Sequence, residues 1–216
     1  MADQGAATAA LRFSAGEAGV PADPDAWLLE RSRQGDVQAF ETLFRKYQGY
    51  VYNISVGMLG NGEDAADVTQ ETFLRIHRGL CRFRGESTFT TWLYRVAVNL
   101  CITELRRRSR RRFQVLEEVH QPYGECALHE EHGPSPDEAI LREEDRRSVH
   151  AALNLLSPDY RAIMVLRHFQ QLPYEEIAAV LGLTLSQVKT RLFRARRMFK
   201  DRYRAIAREP HVLRAD

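Results

Sequence analysis

A chain of 216 residues, 44% of them hydrophobic, can build one large or two small cored domains, which excludes global disorder. No segment reaches the apolar length of a membrane span, and the N-terminus lacks the basic start and apolar core of a signal peptide, so no membrane insertion is expected. The net charge of +2 hides a strong pattern: nine arginines stand against Glu86 and Glu104 from Arg82 to Arg112, ten acids against Arg142 from Gln114 to Asp145, and the stretch from Arg146 to Arg204 is basic again. That order predicts two polyanion-binding lobes with an acidic connector.

Residues 1–25, rich in Ala, Gly, Pro and Asp, read as a disordered tail. A short helix is predicted from Asp25 to Gln34, ended by Gly35. Asp36 then caps a long helix whose apolar stripe is Phe40, Phe44, Tyr47, Val51, Ile54 and Met58. Gly60-Asn61-Gly62 stops it. A third helix is expected from about Glu63 to Leu80, with Ala65, Val68 or Thr69, Phe73, Ile76 and Leu80 inward and Asp64, Asp67, Glu71 and Arg75 outward. A polar loop, Cys81 to Thr91, leads to a fourth helix from about Thr91 to Arg110. That helix begins apolar (Trp92, Leu93, Val96, Ala97, Leu100) and ends in the arginine run Arg106 to Arg112. Four helices with short connections make a bundle, residues 26–112.

Residues 113–137 lose periodicity and read as a flexible acidic linker. Helices resume near Asp137, with a stripe of Val149, Ala152, Leu153 and Leu156. Ser157-Pro158 starts the next helix, with Ser as N-cap and Pro at the first helical position. The second helical domain covers 138–207, followed by a tail, 208–216. Strand signals are weak throughout, so the fold class is all-α: two small helical domains joined by the linker.

The stretch LPYEEIAAVLGLTLSQVKTRLFRARR, Leu172 to Arg197, reads as two helices joined by a tight turn. Pro173, Glu175 and Glu176 suit a first helical turn. Ile177, Ala178 and Leu181 share a face, and Gly182 sits where the first helix stops. Thr184 and Gln187 form a capping box. Val188, Leu192, Ala195 and Phe199 fall on one arc of the second helix. Ser186, Thr190, Phe193, Arg194 and Arg197 lie opposite, with Lys189 and Arg191 flanking. A helix-turn-helix that lays its second helix in the major groove has this pattern. Phe193 is out of place on a solvated face, but a thymine methyl offers it apolar contact.

In the first lobe, Phe83, Phe89, Trp92 and Tyr94 stand among Arg82, Arg84, Arg95 and the later arginines. Arginines neutralise phosphates and aromatics stack on unpaired bases, a combination suited to opened DNA. Core packing is an equal reading for Trp92. Asn99 interrupts an apolar helical run, where a free amide can read a base edge or bond to local backbone. No nucleophile, metal triad or phosphate loop stands out, so neither enzymatic chemistry nor a cofactor is expected.

At these residues a family is discernible. DAADVTQETFLRIHRGL (Asp64 to Leu80) and FRGESTFTTWLYRVAVN (Phe83 to Asn99) closely resemble the sigma-2 lobe of extracytoplasmic-function (ECF) sigma factors. LNLLSPDYRAIMVLRHFQQLPYEEIAAVLGLTLSQVKTRLFRARRMF (Leu153 to Phe199) resembles their sigma-4 lobe. The resemblance implies a dissociable, cytoplasmic subunit of bacterial RNA polymerase that directs it to promoters. It implies that Asp64, Asp67, Gln70 and Glu71 bind the clamp helices of the largest subunit, and that the flap of the polymerase is a second contact. It implies that a base of the −10 element leaves the stack for a pocket to which Phe83 and Asn99 correspond, within a motif carrying Arg84, Gly85, Ser87 and Trp92. Arg106 and Arg107 are added as phosphate contacts. The −35 element is then read from Lys189, Thr190, Phe193 and Arg194, with Ser186, Gln187, Arg191 and Arg197 beside them. Promoter DNA, as duplex and as opened strand, and an anti-sigma factor are the other partners implied, the latter wedging from Phe113 onward.

Cys126, His129 and His132 in the linker are of ligand types that suit zinc, but ligands so close in an aperiodic segment are mostly coincidental, and no metal is assigned. Cys81, Cys101 and Cys126 are an odd set without framework spacing, as a reducing cytoplasm favours. A conventional helix-turn-helix regulator of duplex DNA is the alternative. It has no use for the loop and helix from Phe83 to Asn99.

Overall fold

A computed structural model describes residues 23–114 and 136–208. Among them every regular element is helical: α1 (Ala26–Arg33), α2 (Val37–Leu59), α3 (Gly62–Gly79), a 3-10 turn (Leu80–Arg82), α4 (Phe89–Gln114), α5 (Pro136–Asn154), α6 (Pro158–His168), α7 (Tyr174–Leu181) and α8 (Leu185–Arg208). The linker ligands Cys126, His129 and His132 lie outside the described residues.

Local chemistry accounts for most boundaries. The Asp36 carboxylate accepts from the backbone N–H groups of Gln38 and Ala39, and Gly60 ends α2 at φ 78°. The Asn61 side chain accepts from the Asp64 N–H at 2.8 Å and so starts α3. The fourth helix begins at Phe89, two residues before the expected start. Thr88 is the reason: its hydroxyl accepts from the Thr91 N–H at 3.3 Å, a cap the loop reading overlooked. Ser157 stands at the N-cap of α6 without a side-chain bond, so Pro158 and the Ser157 carbonyl alone open that helix.

The α2 stripe is rotated slightly from expectation. Ala39, Leu43, Tyr47, Val51, Ile54 and Met58 are buried, while Phe40 and Phe44 are half-buried edge-on against His77 and Phe73. Around this helix pack α1, α3 and α4 from the first lobe, and α5 and α6 from the second. The last turn of α2 is therefore covered all round, and Ser55, Val56, Gly57, Met58 and Leu59 are all buried.

Two features seal the lobes together. Gly57 faces Val165 of α6 so closely that a Cβ there would lie 3.0 Å from one methyl and 3.1 Å from the other. Beside it Arg161 is buried, donating to the Met58 carbonyl at 2.6 Å and to the Asn154 carbonyl at 2.7 Å. A guanidinium is favoured at the C-terminal ends of two helices, where carbonyls lack intrahelical partners. A single apolar core runs through both lobes.

Candidate nucleic-acid interface

In the second lobe Gly182 ends α7 in the left-handed region, φ 65°, and the capping box follows as expected. The Gln187 N–H donates to the Thr184 hydroxyl at 3.2 Å, and the Thr184 N–H donates to the Gln187 side-chain oxygen at 2.9 Å. Ile177 and Val180 of α7 are the buried pair, while Ala178 and Leu181 are half-buried. On α8, Val188, Leu192 and Ala195 are buried and Phe199 half-buried. That inward face fixes the outward one: Ser186, Gln187, Lys189, Thr190, Phe193, Arg194 and Arg197 are exposed, and Arg191 is half-buried. Phe193 is 70% exposed, a large apolar cost unless something covers it. Part of the polar capacity is already engaged. The Thr190 hydroxyl donates to the Ser186 carbonyl at 2.9 Å, and the Gln187 oxygen serves the cap. Arg196 turns back to His168 at 3.4 Å. Burial, then Arg196 and Arg167, hold the His168 imidazole below its ordinary pKa.

In the first lobe Phe83 is not an open stacking platform. It is half-buried, stacked on Trp92 with ring centroids 4.8 Å apart and planes at 15°. Trp92 rests against Gly79, where a Cβ would meet its ring at 3.1 Å. Phe89, by contrast, is fully buried core. The loop between these anchors turns at Gly85, φ 73°, and leaves Arg84, Gly85 and Glu86 exposed. A cavity of about 640 Å³ opens over this loop, walled by Gly79, Arg82, Phe83, Arg84, Glu86, Ser87, Trp92 and Arg95. Its size and its arginines suit a base with its phosphate.

Asn99 is exposed on α4, but it opens on a neighbouring cleft of about 540 Å³. Arg95, Thr103 and Arg106 share that cleft with Asp159, Leu181, Gly182 and Arg191 of the second lobe. Arg95 walls both spaces and donates to the Ala179 carbonyl at 2.6 Å. The sequence reading did not single it out as a site residue, although its position one turn before Asn99 was the available signal. Arg106 is exposed, whereas Arg107 pairs with Glu104 at 2.7 Å. That pairing with Arg107, with Arg108 adding to it, holds the Glu104 carboxyl below its ordinary pKa against the opposing effect of burial.

On α3, Asp67 and Gln70 are exposed. Asp64 is half-buried and pairs with Arg108 of α4, and Glu71 pairs with Arg75 at 2.7 Å. Beside them a groove of about 910 Å³ includes Phe44, Tyr52, Asn53, Thr69 and Gln70. Its α2 wall was not foreseen, because only the inward stripe of that helix was traced. A smaller apolar groove of about 270 Å³ lies between α5, α6 and α8, lined by Val149, Leu153, Met164, Phe169 and Phe199 with His168 and Arg196 at its margin. Among the described residues no group of His, Cys, Asp or Glu side chains is arranged to hold a metal, and no helix is long and apolar enough to cross a membrane.

Comparison with known proteins agrees with this geometry. The family model for sigma-70 region 2 matches residues 43–111, and that for sigma-70 region 4 matches residues 146–199. The RNA polymerase sigma-H factor of Pseudomonas aeruginosa is 36% identical over 190 residues, spanning 87% of this chain and 97% of that protein. The ECF RNA polymerase sigma-E factor of Haemophilus influenzae is 34% identical over 180 residues, 82% of this chain and 94% of its own. The structure of CnrH in complex with the cytosolic domain of CnrY matches with a TM-score of 0.60 at 25% identity, covering 85% of this chain and 99% of that one. The sigma factor RpoE, solved with the anti-sigma factor NepR from Bartonella quintana, has the same fold: TM-score 0.60, 19% identity, 81% of this chain and 100% of that one.

Proposed function

The chain belongs to the extracytoplasmic-function family of RNA polymerase sigma factors, and from that premise we propose how its two lobes divide the work. It binds core RNA polymerase and directs promoter recognition and opening. The first lobe, residues 26–112, holds the polymerase and captures the opened −10 strand. The second, residues 138–207, anchors on the −35 duplex. The observation that carries this division is the cavity over residues 83–88, with Phe83, Arg84, Ser87 and Trp92 on its wall. A regulator of intact duplex would share the exposed α8 face but has no use for an arginine-lined cavity on the other lobe that admits a base with its phosphate.

Lys189, Thr190, Phe193 and Arg194 read the −35 bases, with Ser186, Gln187, Arg191 and Arg197 at the edges of the contact. Phe193 in particular exchanges exposure for a thymine methyl. Phe83, Arg84, Gly85, Ser87, Trp92 and Asn99 form the −10 site, and Arg106 and Arg107 track its phosphates. Asp67 and Gln70 contact the polymerase clamp. Asp64 and Glu71 contribute to the same acidic face from within their ion pairs. The apolar groove on α5, α6 and α8 suits the polymerase flap. Asn99 and Arg191 now share one cleft, so the lobes part when both elements are bound. The polymerase does the chemistry, and this chain supplies address and strand capture from the cytoplasm. A solved relative, CnrH, binds the cytosolic domain of CnrY, which supports an anti-sigma partner here too.

The test is reconstitution with core RNA polymerase on fragmented genomic DNA. Promoter-dependent transcripts are expected. Absence of transcripts together with absence of core binding refutes the reading.

A further inference from the structure

The loop that bounds the −10 cavity is held at both ends by a segment the first-lobe motifs do not include. At its start, Arg33 from the last turn of α1 donates to the Phe83 carbonyl and, at 3.4 Å, to the Leu80 carbonyl. The same guanidinium lies 5.7 Å from the centre of the Phe83 ring. Phe83 is thus enclosed between Arg33 and Trp92, a column of guanidinium, phenyl and indole backed by Gly79. At the other end, the Asp23 carboxylate accepts from the Phe89 N–H, the first amide of α4. That amide has no intrahelical acceptor, and a carboxylate is favoured at a helix N-terminus.

Between these two residues the segment is itself anchored. Asp25 is 3% exposed, accepts from the Tyr47 hydroxyl and pairs with Lys46 at 2.6 Å. Burial, and then the hydrogen bond to Asp25, push the Tyr47 hydroxyl well above its ordinary pKa. Asp23 and Asp25 therefore belong to the folded lobe, although residues 1–25 read as tail in the sequence. Between its pinned ends the loop leaves Gly85 and the side chains of Arg84 and Glu86 exposed. A loop with fixed ends and free side chains is preorganised: its closure entropy is met on folding, not when a base enters.

We propose that Arg33 and Asp23 are positioning residues for −10 strand capture, pinning the two ends of the 83–88 loop so that the cavity over it exists before the strand arrives. Neither touches the strand. Arg33 acts through Phe83, and Asp23 through the start of α4. The inference rests on the assignment of this loop to strand capture.

The test uses holoenzyme assembled from core polymerase and the full chain. Its probes are the single strand and the duplex that wild-type holoenzyme selects from random-sequence pools. Arg33→Ala and Asp23→Ala are expected to weaken single-strand binding by about tenfold, as the loop's ordering is transferred to the binding step. Core association and duplex binding stay within about twofold. Arg33→Lys keeps the charge but not the planar fork, and restores strand binding only in part. Combining Arg33→Ala with Phe83→Ala weakens strand binding beyond Phe83→Ala alone, because the bonds to the Phe83 and Leu80 main-chain carbonyls outlast the loss of the ring. Asp23→Asn and Arg33→Gln serve if an alanine variant fails to fold. Wild-type strand binding by the Arg33 and Asp23 variants, with Phe83→Ala impaired, overturns the inference and leaves the loop assignment standing. Equal loss of strand, duplex and core binding overturns it as well, since that is loss of structure. If Phe83→Ala itself binds the strand normally, the loop assignment falls first and the inference with it.

Discussion

Gly57 offers the sharpest test of how the two lobes are joined. It lies in the last turn of α2, where glycine costs roughly 0.5–1 kcal/mol relative to alanine in a helix. On helix propensity alone, Gly57→Ala should stabilise. The structure predicts the opposite sign. The new methyl would lie 3.0 Å and 3.1 Å from the two Val165 methyls, about half an ångström inside the contact distance of about 3.5–4.0 Å. Overpacking of this kind costs about 1–3 kcal/mol, so the net expectation is a loss of up to about 2.5 kcal/mol. Val165 is fully buried, and Val165→Ala alone should cost about 1–3 kcal/mol through lost transfer energy and the cavity left behind. In the double variant the methyl that Gly57→Ala introduces occupies part of that cavity. The two effects should then fall short of their sum by about 1 kcal/mol or more, beyond the few tenths typical of independent sites. Urea titration of the full chain measures all four corners of the cycle, and small-angle scattering follows lobe separation in parallel. Additive effects, or a stabilised Gly57→Ala, would show that α2 and α6 do not meet in solution as described.

Four further outcomes are expected. Arg194→Ala should weaken −35 recognition by about 1–3 kcal/mol, the worth of a direct base contact, and unchanged preference across −35 variants removes that role. Asn99→Ala should change −10 preference and spare core binding; a pull-down that loses the polymerase contradicts it. The two acids of α3 should separate cleanly. Asp67 is exposed, so Asp67→Arg weakens polymerase association with little change in stability, whereas Asp64→Ala breaks the pair with Arg108 and costs about 0.5–1 kcal/mol in urea titration. Glu104 sits below its ordinary 4.5 because Arg107 and Arg108 favour its charged form. It therefore contributes stability above that value and loses it as pH falls through the lowered one. The stability difference between wild type and Glu104→Gln should shrink as pH falls below 4.5; a difference independent of pH rejects the linkage.

What the sequence made legible was the chemistry that acts within a few residues. The Asp36 cap, the left-handed Gly60 and Gly182, and the Thr184–Gln187 box all stand where their spacing predicted. So does the outward face of α8, because burial of Val188, Leu192 and Ala195 leaves the helix no other phase. Contacts at large separation were not legible. Nothing in the pattern near Phe83 distinguishes an open stacking ring from one held between Trp92 and Arg33, since the second partner arrives from fifty residues upstream. Nor did the stripe on α2 announce that its last turn is buried on every side. The apolar run from Val56 to Leu59 is the clue, and of its residues only Met58 belongs to the stripe that the spacing predicts.

Asn99 shows why that distinction matters for function. It is exposed on α4, but exposure in one lobe does not specify what lies opposite. Arg191, from the second reading surface, borders the same cleft, and Arg95 reaches across to the Ala179 carbonyl. With the lobes joined, the two surfaces that should engage elements about two duplex turns apart, roughly 70 Å, border a single space. Reading both at once requires the α2–α6 seam at Gly57 and Arg161 to yield while each lobe keeps its own helices. Arg161 bonds to carbonyls on both sides of that seam, Met58 in one lobe and Asn154 in the other. Separation costs it the bond to Met58 and returns the freed part of the guanidinium to water, where hydration replaces much of what is lost. A polar latch of this kind opens at lower cost than an apolar seam of equal area would.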